Sequence, residues 1–385
     1  MRAVITVLAI WGAGLGAAAQ FGKISVLFDS LGAQYAGASA VALGLIVSIV
    51  GMVGLVFGTT AGLFVARIGP RRAIVAALLM GAAMSGLQSL GLSYAAMIAS
   101  RVVEGVSHLA IVVVGPTVIA GLAAERYRGL AMTLWSSFFG VTYAALALLA
   151  PPLVAAYGMS GVFVAHALWM AVLAAVLRLL LPKDPPATPA QAGGLVAQHL
   201  AIYASPRLSA PALGFFCYTF LYVAVLTLVP PEVPAGQRAL AAAGMPLISI
   251  ALSLTLGVWL LGRMSAVRLV QWGYLMAVPG FLGLALFWGQ GLGMVVGGLW
   301  VAAALGVVQG ASFASIPELN ATSASRAQAS GAIAQLGNLG TTTGTPVLAA
   351  LLLGAGPWGL AVVAVLACGL GIGLHALQAQ RRRRI

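Results

Sequence analysis

One apolar run holds three side chains that could do chemistry together. Arg101, Glu104 and His108 stand at spacings of three and four, so a helix stacks them as adjacent pairs on one stripe. A carboxylate and an imidazole can each take a proton, while a guanidinium keeps its charge at any working pH. The stripe reads as a proton-coupling pair, Glu104 and His108, beside a fixed cation, Arg101, that holds an anion. A self-neutralised structural cluster is the competing reading. Gln20 and Lys23 lie one turn apart in the first apolar run. Lys23 either faces inward as a second cation or snorkels to the outer interface. Later runs add phenols and amides: Tyr143, Tyr218 and Tyr222 at i, i+4, Gln309, and Gln335 and Asn338 one turn apart. Each alone could be a helix–helix hydrogen bond. Together they predict a mixed polar and aromatic pocket for a small-molecule substrate.

The elements that must position these groups follow from composition. The chain has 385 residues, of which 62% are hydrophobic and 6% charged. A soluble domain carries about 25% charged residues, so this chain cannot build a water-facing surface. Soluble enzymes and nucleic-acid modules are excluded on that ground, despite the net charge of +13. Lipid is the implied solvent. Apolar runs lie at about 4–28, 37–65, 73–90, 92–122, 129–155 and 159–181. Six more lie at about 211–231, 240–262, 267–288, 292–317, 329–353 and 357–379. Each is near the length of about 20 residues that spans a bilayer. Arg101 falls about nine residues into its run, about 14 Å deep at about 1.5 Å per residue. That is close to the midplane of a core about 30 Å thick. Ionisable groups at that depth are costly and are functional candidates by default.

The basic residues alternate between the connections. Arg2, Arg67, Arg71, Arg72, Arg126, Arg128, Arg178, Lys183, Arg207, Arg263, Arg268, Arg326 and Arg381 to Arg384 fall on one side, and Lys23 and Arg238 on the other. The positive-inside rule then places both termini in the cytoplasm, with an even number of spans. A run through Ala17-Ala18-Ala19 resembles a signal-peptide end, but it continues apolar to Leu27, which favours a retained first span. Residues 182–210 form the one long connection, with Pro182, Pro185, Pro186, Pro189 and Pro206. They divide the chain into halves 1–181 and 211–385. Leu195, Val196, His199, Leu200 and Tyr203 recur there at helical spacing, which predicts a short helix on the inner membrane surface. The halves echo each other: Arg67 and Arg72 match Arg263 and Arg268 at an offset of 196, and Arg128 and Gly158 match Arg326 and Gly356 at 198. The expected fold is an all-α membrane protein of twelve helices in two parallel six-helix repeats.

The second connection reads Gly62-Leu63-Phe64-Val65-Ala66-Arg67-Ile68-Gly69-Pro70-Arg71-Arg72. It resembles the motif G-x-x-x-D-R-x-G-[RK]-[RK] of the major facilitator superfamily (MFS), with Ala66 in place of Asp and Pro70 in place of one basic residue. Arg101-Val102-Val103-Glu104-Gly105 is similar to the family's R-x-x-Q-G. The resemblance covers the whole chain. It implies a secondary transporter working by alternating access, with Gly62, Arg67, Gly69, Arg71 and Arg72 at an inner gate. Losing the Asp weakens one salt bridge of that gate. Leu148 to Val154 lack the glycines found in the family's drug antiporters.

The expected function is proton-coupled uptake of a small organic anion or zwitterion, since the intramembrane charges lean positive. Export of a drug-like or metabolic compound is the alternative, and a channel or non-transporting sensor a third reading. No enzyme, cofactor or metal site is expected: no G-x-x-x-x-G-K-[ST] loop occurs, the four histidines are scattered, and Cys217 and Cys368 sit apart in apolar runs. Expected partners are the substrate, protons and the lipid bilayer, with no nucleic acid, and the chain is expected to act as a monomer. The short chain and its seventeen arginines against two lysines, a coding bias, point to a bacterial origin, and with it the inner membrane is the expected location. A reporter active only in the periplasm, fused after Ile385, is expected to stay silent. An active fusion requires an odd number of spans or removal of the first.

Overall fold

The computed structural model describes residues 2–38, 40–184 and 195–384, and the described part is almost wholly helical. The first half comprises α1 (Arg2–Val26), α2 (Phe28–Gln34), α3 (Ala40–Ile68), α4 (Pro70–Gln88), α5 (Tyr94–Leu122), α6 (Arg128–Ser136) and α7 (Phe138–Leu180). After α8 (Leu195–Ala204), the second half comprises α9 (Ser209–Glu232), α10 (Ala235–Leu252), α11 (Val258–Leu261), α12 (Ala266–Leu286), α13 (Gly291–Leu319) and α14 (Ser323–Arg383). Among the described residues, ten helical stretches are long and apolar enough to cross a membrane. The nineteen-residue α4, which opens Pro70-Arg71-Arg72, packs between α5 and α7 as an eleventh. The last stretch is a double one, because α14 runs for 61 residues and breaks at Gly356. The result is twelve spans.

Glycine makes two of the turns between spans. Gly158 inside α7 has φ 65° and ψ −169°, and Gly356 inside α14 has φ 66° and ψ −167°. Only glycine adopts that region without strain. The two residues are the repeat partners found at an offset of 198, and they end the fifth and eleventh spans in the same backbone conformation. Other ends use side-chain caps. Ser93 accepts from Ala96 N, Ser265 from Arg268 N, and Thr322 forms a capping box with Ser325. A further match spans the repeat: Arg128 Nε donates to Ala120 O at 3.2 Å, and Arg326 Nε donates to Asn320 O at 2.9 Å. Each arginine neutralises the carbonyl-bearing end of the preceding span.

The halves meet where α3 crosses α14 and where the fifth span meets α10 and α13. A methyl group on Gly58 would lie 2.7 Å from Gln335 Cβ and 2.8 Å from Gly331 O, and one on Gly62 would lie 2.9 Å from the Ala327 carbonyl. Small residues let these backbones touch. Gln335 Nε2 donates to Leu55 O at 2.7 Å, and Gln309 Nε2 donates to Ser136 O at 2.6 Å. These contacts run from the middle of each helix toward the end of the bundle that carries both termini. The helix α8 lies across that end. His199 Nδ1 is 2.6 Å from Thr59 Oγ1 on α3, and Tyr203 OH donates to Gln335 Oε1 at 2.6 Å on α14. The helix therefore touches both halves. Residues 185–194 and the side chain of Ala66 lie outside the described residues.

Candidate functional site

The first half is built around a carboxylate that lies far from water. Glu104 on α5 is fully buried, and so are Arg101 and Lys23. Lys23 Nζ lies 2.5 Å from Glu104 Oε1, and Arg101 Nη1 lies 2.5 Å from Glu104 Oε2. Gln88 Nε2 on α4 donates to the same Oε2 at 3.0 Å. Arg101 also donates from Nε to Ile46 O at 2.9 Å and from Nη2 to Val47 O at 3.4 Å. Both acceptors are backbone groups of α3. Thus one carboxylate sits between two cations, and the cluster carries one surplus positive charge.

Lys23 does not reach the interface that simple counting along α1 allows. The short helix α2 continues beyond α1 after the single residue Leu27, so Lys23 lies well short of the end of this helical stretch. Ile24, Leu27, Leu31, Ile46, Met97 and Phe163 form an apolar layer there, and the Phe163 ring lies 5.5 Å from Nζ. Lys23 turns inward instead. It donates to Ser85 Oγ on α4, and its third contact is His166 Nδ1 at 3.4 Å on α7. Ser85 Oγ lies 2.6 Å from the same Nδ1. His166 Nε2 lies 2.9 Å from Gly16 O. A carbonyl can only accept, so Nε2 carries the hydrogen and Nδ1 presents its lone pair to Ser85 and Lys23. His166 and Ser85 are site residues that sequence reasoning passed over. The signal existed, since His166 is an ionisable group well inside the sixth apolar run.

The remaining candidates separate into groups. His108 leaves the stripe: its Nδ1 donates to Ala17 O at 3.0 Å, and its ring packs edge-on against Phe21 and Phe139. Among the described residues no hydrogen bond joins it to Glu104. Gln20 donates to Ser107 Oγ at 2.9 Å, beneath Gly81, where any Cβ would lie 2.9 Å from both groups. Tyr143 is 36% exposed, stacks on Phe139 and neighbours Arg101. Tyr218 and Tyr222 are buried on α9, stacked on each other at 5.1 Å, and act as core. Gln309 and Gln335 bridge the halves, as described above. Asn338 is partly buried, opposite Gly51 and Gly54 of α3, and donates to Ala334 O at 2.7 Å.

At the termini-bearing end, the bonds of Arg71 and Arg72 among the described residues stay within the first half. Gly69 has φ 94° and precedes Pro70 at the start of α4. The Asp184 carboxylate accepts from Arg71 N at 2.8 Å and Arg72 N at 2.9 Å, and Arg71 Nη2 donates to Arg178 O at 2.5 Å. These bonds tie α4 to the end of α7. Arg67 is exposed, and Gly62 is the motif residue that touches the other half.

Twelve spans in two repeats, closed on each other at one end, with buried charge inside one half, define an integral membrane protein of a transporter fold. The Major Facilitator Superfamily model matches residues 6–345, and the chain belongs to that family. It is 28% identical to the inner membrane transport protein YajR of Escherichia coli (strain K12) over 247 residues, 62% of this chain and 51% of YajR. The match thus spans about half the length of that relative. Among solved structures, the E. coli fucose:proton symporter FucP aligns over 98% of this chain and 99% of its own, with TM-score 0.77 and 15% identity. The proton:xylose symporter XylE aligns over 98% and 95%, with TM-score 0.79 and 14% identity. The human organic anion transporter MFSD10 aligns over 98% and 99%, with TM-score 0.76 and 19% identity. At these identities the likeness is one of fold.

Charge balance orders the variants of the site. Lys23→Met leaves Arg101 matched to Glu104. Glu104→Gln leaves two buried cations and no anion, at a cost of about 3–5 kcal/mol. The expected order of melting temperature in detergent is Lys23→Met, then Lys23→Met/Glu104→Gln, then Glu104→Gln. Finding Lys23→Met the least stable of the three contradicts this balance.

Proposed function

We propose that this chain is a secondary active transporter that takes up a small organic anion or zwitterion together with protons. The observation that carries the reading is the Lys23–Glu104–Arg101 cluster, which holds one surplus positive charge where no water reaches it. Unbalanced charge in a span is expensive, and function is what retains it. Halves 1–181 and 211–385, joined by linker 182–210, rock against each other. The glycine contacts of α3 with α14, and the bridges from Gln309 and Gln335, close one end and part when the other end closes. Tyr143 and Asn338 contact the substrate between the halves. An anionic group beside Tyr143 offsets the surplus charge, which gives the site its preference of sign.

The membrane is the inner membrane of a bacterium, with both termini cytoplasmic. Nothing in the cluster sets direction by itself, so export of a metabolic or drug-like compound uses the same residues with the proton moving the opposite way.

Right-side-out vesicles, supplied with a panel of labelled carboxylates, amino acids, sugars and organic cations, test both directions. The expected result is accumulation of an anion or zwitterion driven by external acid and abolished by a protonophore. Acid-driven loss of a preloaded cation or neutral lipophile, with no anion accumulated, overturns uptake in favour of export.

A further inference from the structure

We propose that the exchangeable proton of this site resides on Lys23 and not on Glu104, and that His166 receives it through the Ser85 hydroxyl. The inference rests on the transport reading only for its purpose; the chemistry is that of the buried cluster itself.

Three charges meet at the site, and only two of them can change. Arg101 keeps its proton. Protonating Glu104 would leave two cations around a neutral acid and raise the buried charge from +1 to +2. Deprotonating Lys23 would leave Arg101 against Glu104 and lower it to zero. Burial penalises net charge, so the cluster alternates between +1 and 0, and the mobile proton is the one on Lys23. The hydrogen bonds agree. Glu104 takes donors from Lys23, Arg101 and Gln88, an arrangement suited to a carboxylate that stays ionised.

The neighbours of Lys23 supply a way out. Glu104 and Arg101 face it from α5, Ser85 from α4, and His166 and the Phe163 ring from α7. Of the flanking titratable groups, His108 is turned to Ala17 O, and Tyr143 neighbours Arg101. Ser85 Oγ bonds both Lys23 Nζ and His166 Nδ1. In the transfer, an N–H bond of Lys23 breaks as an O–H bond forms at Ser85. The original Ser85 O–H breaks as an N–H bond forms at His166 Nδ1. Lysine becomes a neutral amine, histidine an imidazolium, and total charge is unchanged. The Nε2–H bond to Gly16 O holds the ring in register throughout. The site becomes neutral only when His166 gives its Nδ1 proton to water admitted as the halves part; the +1 state attracts a substrate anion, and the neutral state releases it.

The chain has two lysines, Lys23 and Lys183, so Lys183→Arg leaves a single lysine signal. Full-length Lys183→Arg protein, labelled with 15N in lysine Nζ and in histidine and held in lipid nanodiscs, is titrated by NMR from about pH 5.5 to 9, a range that brackets the histidine reference value of about 6.5. The His166 signal is assigned by its loss in His166→Gln. The expected result is conversion of the Lys23 ammonium signal to the amine, with the His166 Nδ1 signal moving over the same interval as a coupled pair. Ser85→Ala keeps both titrating groups and is expected to slow proton exchange at Lys23 by at least about tenfold. A Lys23 signal that stays ammonium throughout overturns the assignment. So does a His166 Nδ1 signal that stays fixed while Lys23 titrates, or exchange unchanged in Ser85→Ala. The titration needs no substrate, so its failure leaves the transport reading standing, and failure of the vesicle assay leaves the titration standing.

Discussion

A carboxylate held between two cations, out of reach of water, is the constraint around which the first half is arranged. Each of its oxygens must find donors inside the protein, because lipid offers none. Three helices supply them: α1 brings Lys23, α4 brings Gln88, and α5 brings Arg101 beside Glu104 itself, while Ser85 of α4 and His166 of α7 hold Lys23. The backbone takes part as well, since Arg101 spends two donors on carbonyls of α3 and His166 one on a carbonyl of α1. The close packing that this demands explains Gly81, where a side chain would displace the Gln20–Ser107 bond. The apolar layer under α2 completes the enclosure. Without it, water would screen the surplus charge and the cluster would lose its reason for holding only one movable proton.

The second half answers with shape in place of charge. Its repeat partners share the geometry of the first half at Gly158 and Gly356 and at Arg128 and Arg326. Its interior is aromatic, with Tyr218, Tyr222 and Tyr274 buried on α9 and α12. Its contribution to the interface is a backbone-close contact of α14 with α3, which small residues permit and which leaves few side chains to disentangle when the halves separate. Such a contact suits a reversible closure. Its bonds across the halves are amide to carbonyl, each worth about 0.5–1.5 kcal/mol net, and so are individually weak enough to exchange.

Much of this plan is legible in the residues alone, because lipid imposes a simple grammar. Span number, the repeat, the turn glycines and the Arg101–Glu104 pair all follow from local spacing and hydropathy. The burial of Lys23 does not follow, because it depends on an apolar layer that Ile46, Met97 and Phe163 bring from α3, α5 and α7. Helical spacing paired Glu104 with His108, yet the two meet different points of α1, Glu104 bonding Lys23 and His108 bonding Ala17 O. The bonds of Gln309 and Gln335 across the halves do not follow either, because an amide inside a span has no local signature that names its partner helix. Arg71 and Arg72 match a gate motif, and spacing alone does not reveal that Asp184, just past α7, accepts from their backbone amides. In each case the deciding contact joins residues distant in sequence.

The central claim is that the two halves rock about the buried site when its proton is exchanged. Spin-label distances across α3 and α14 test it most directly. In a background with Cys217 and Cys368 replaced by Ala, one label pair sits at Ile68 and Ala324, at the termini-bearing end, and another at Leu45 and Leu353, toward the opposite end. Moving nanodisc-held protein between about pH 5.5 and 9, which spans the histidine range, should shift the two distance distributions in opposite senses, one lengthening as the other shortens. Distributions that stay fixed at both ends, or that move together, contradict the account.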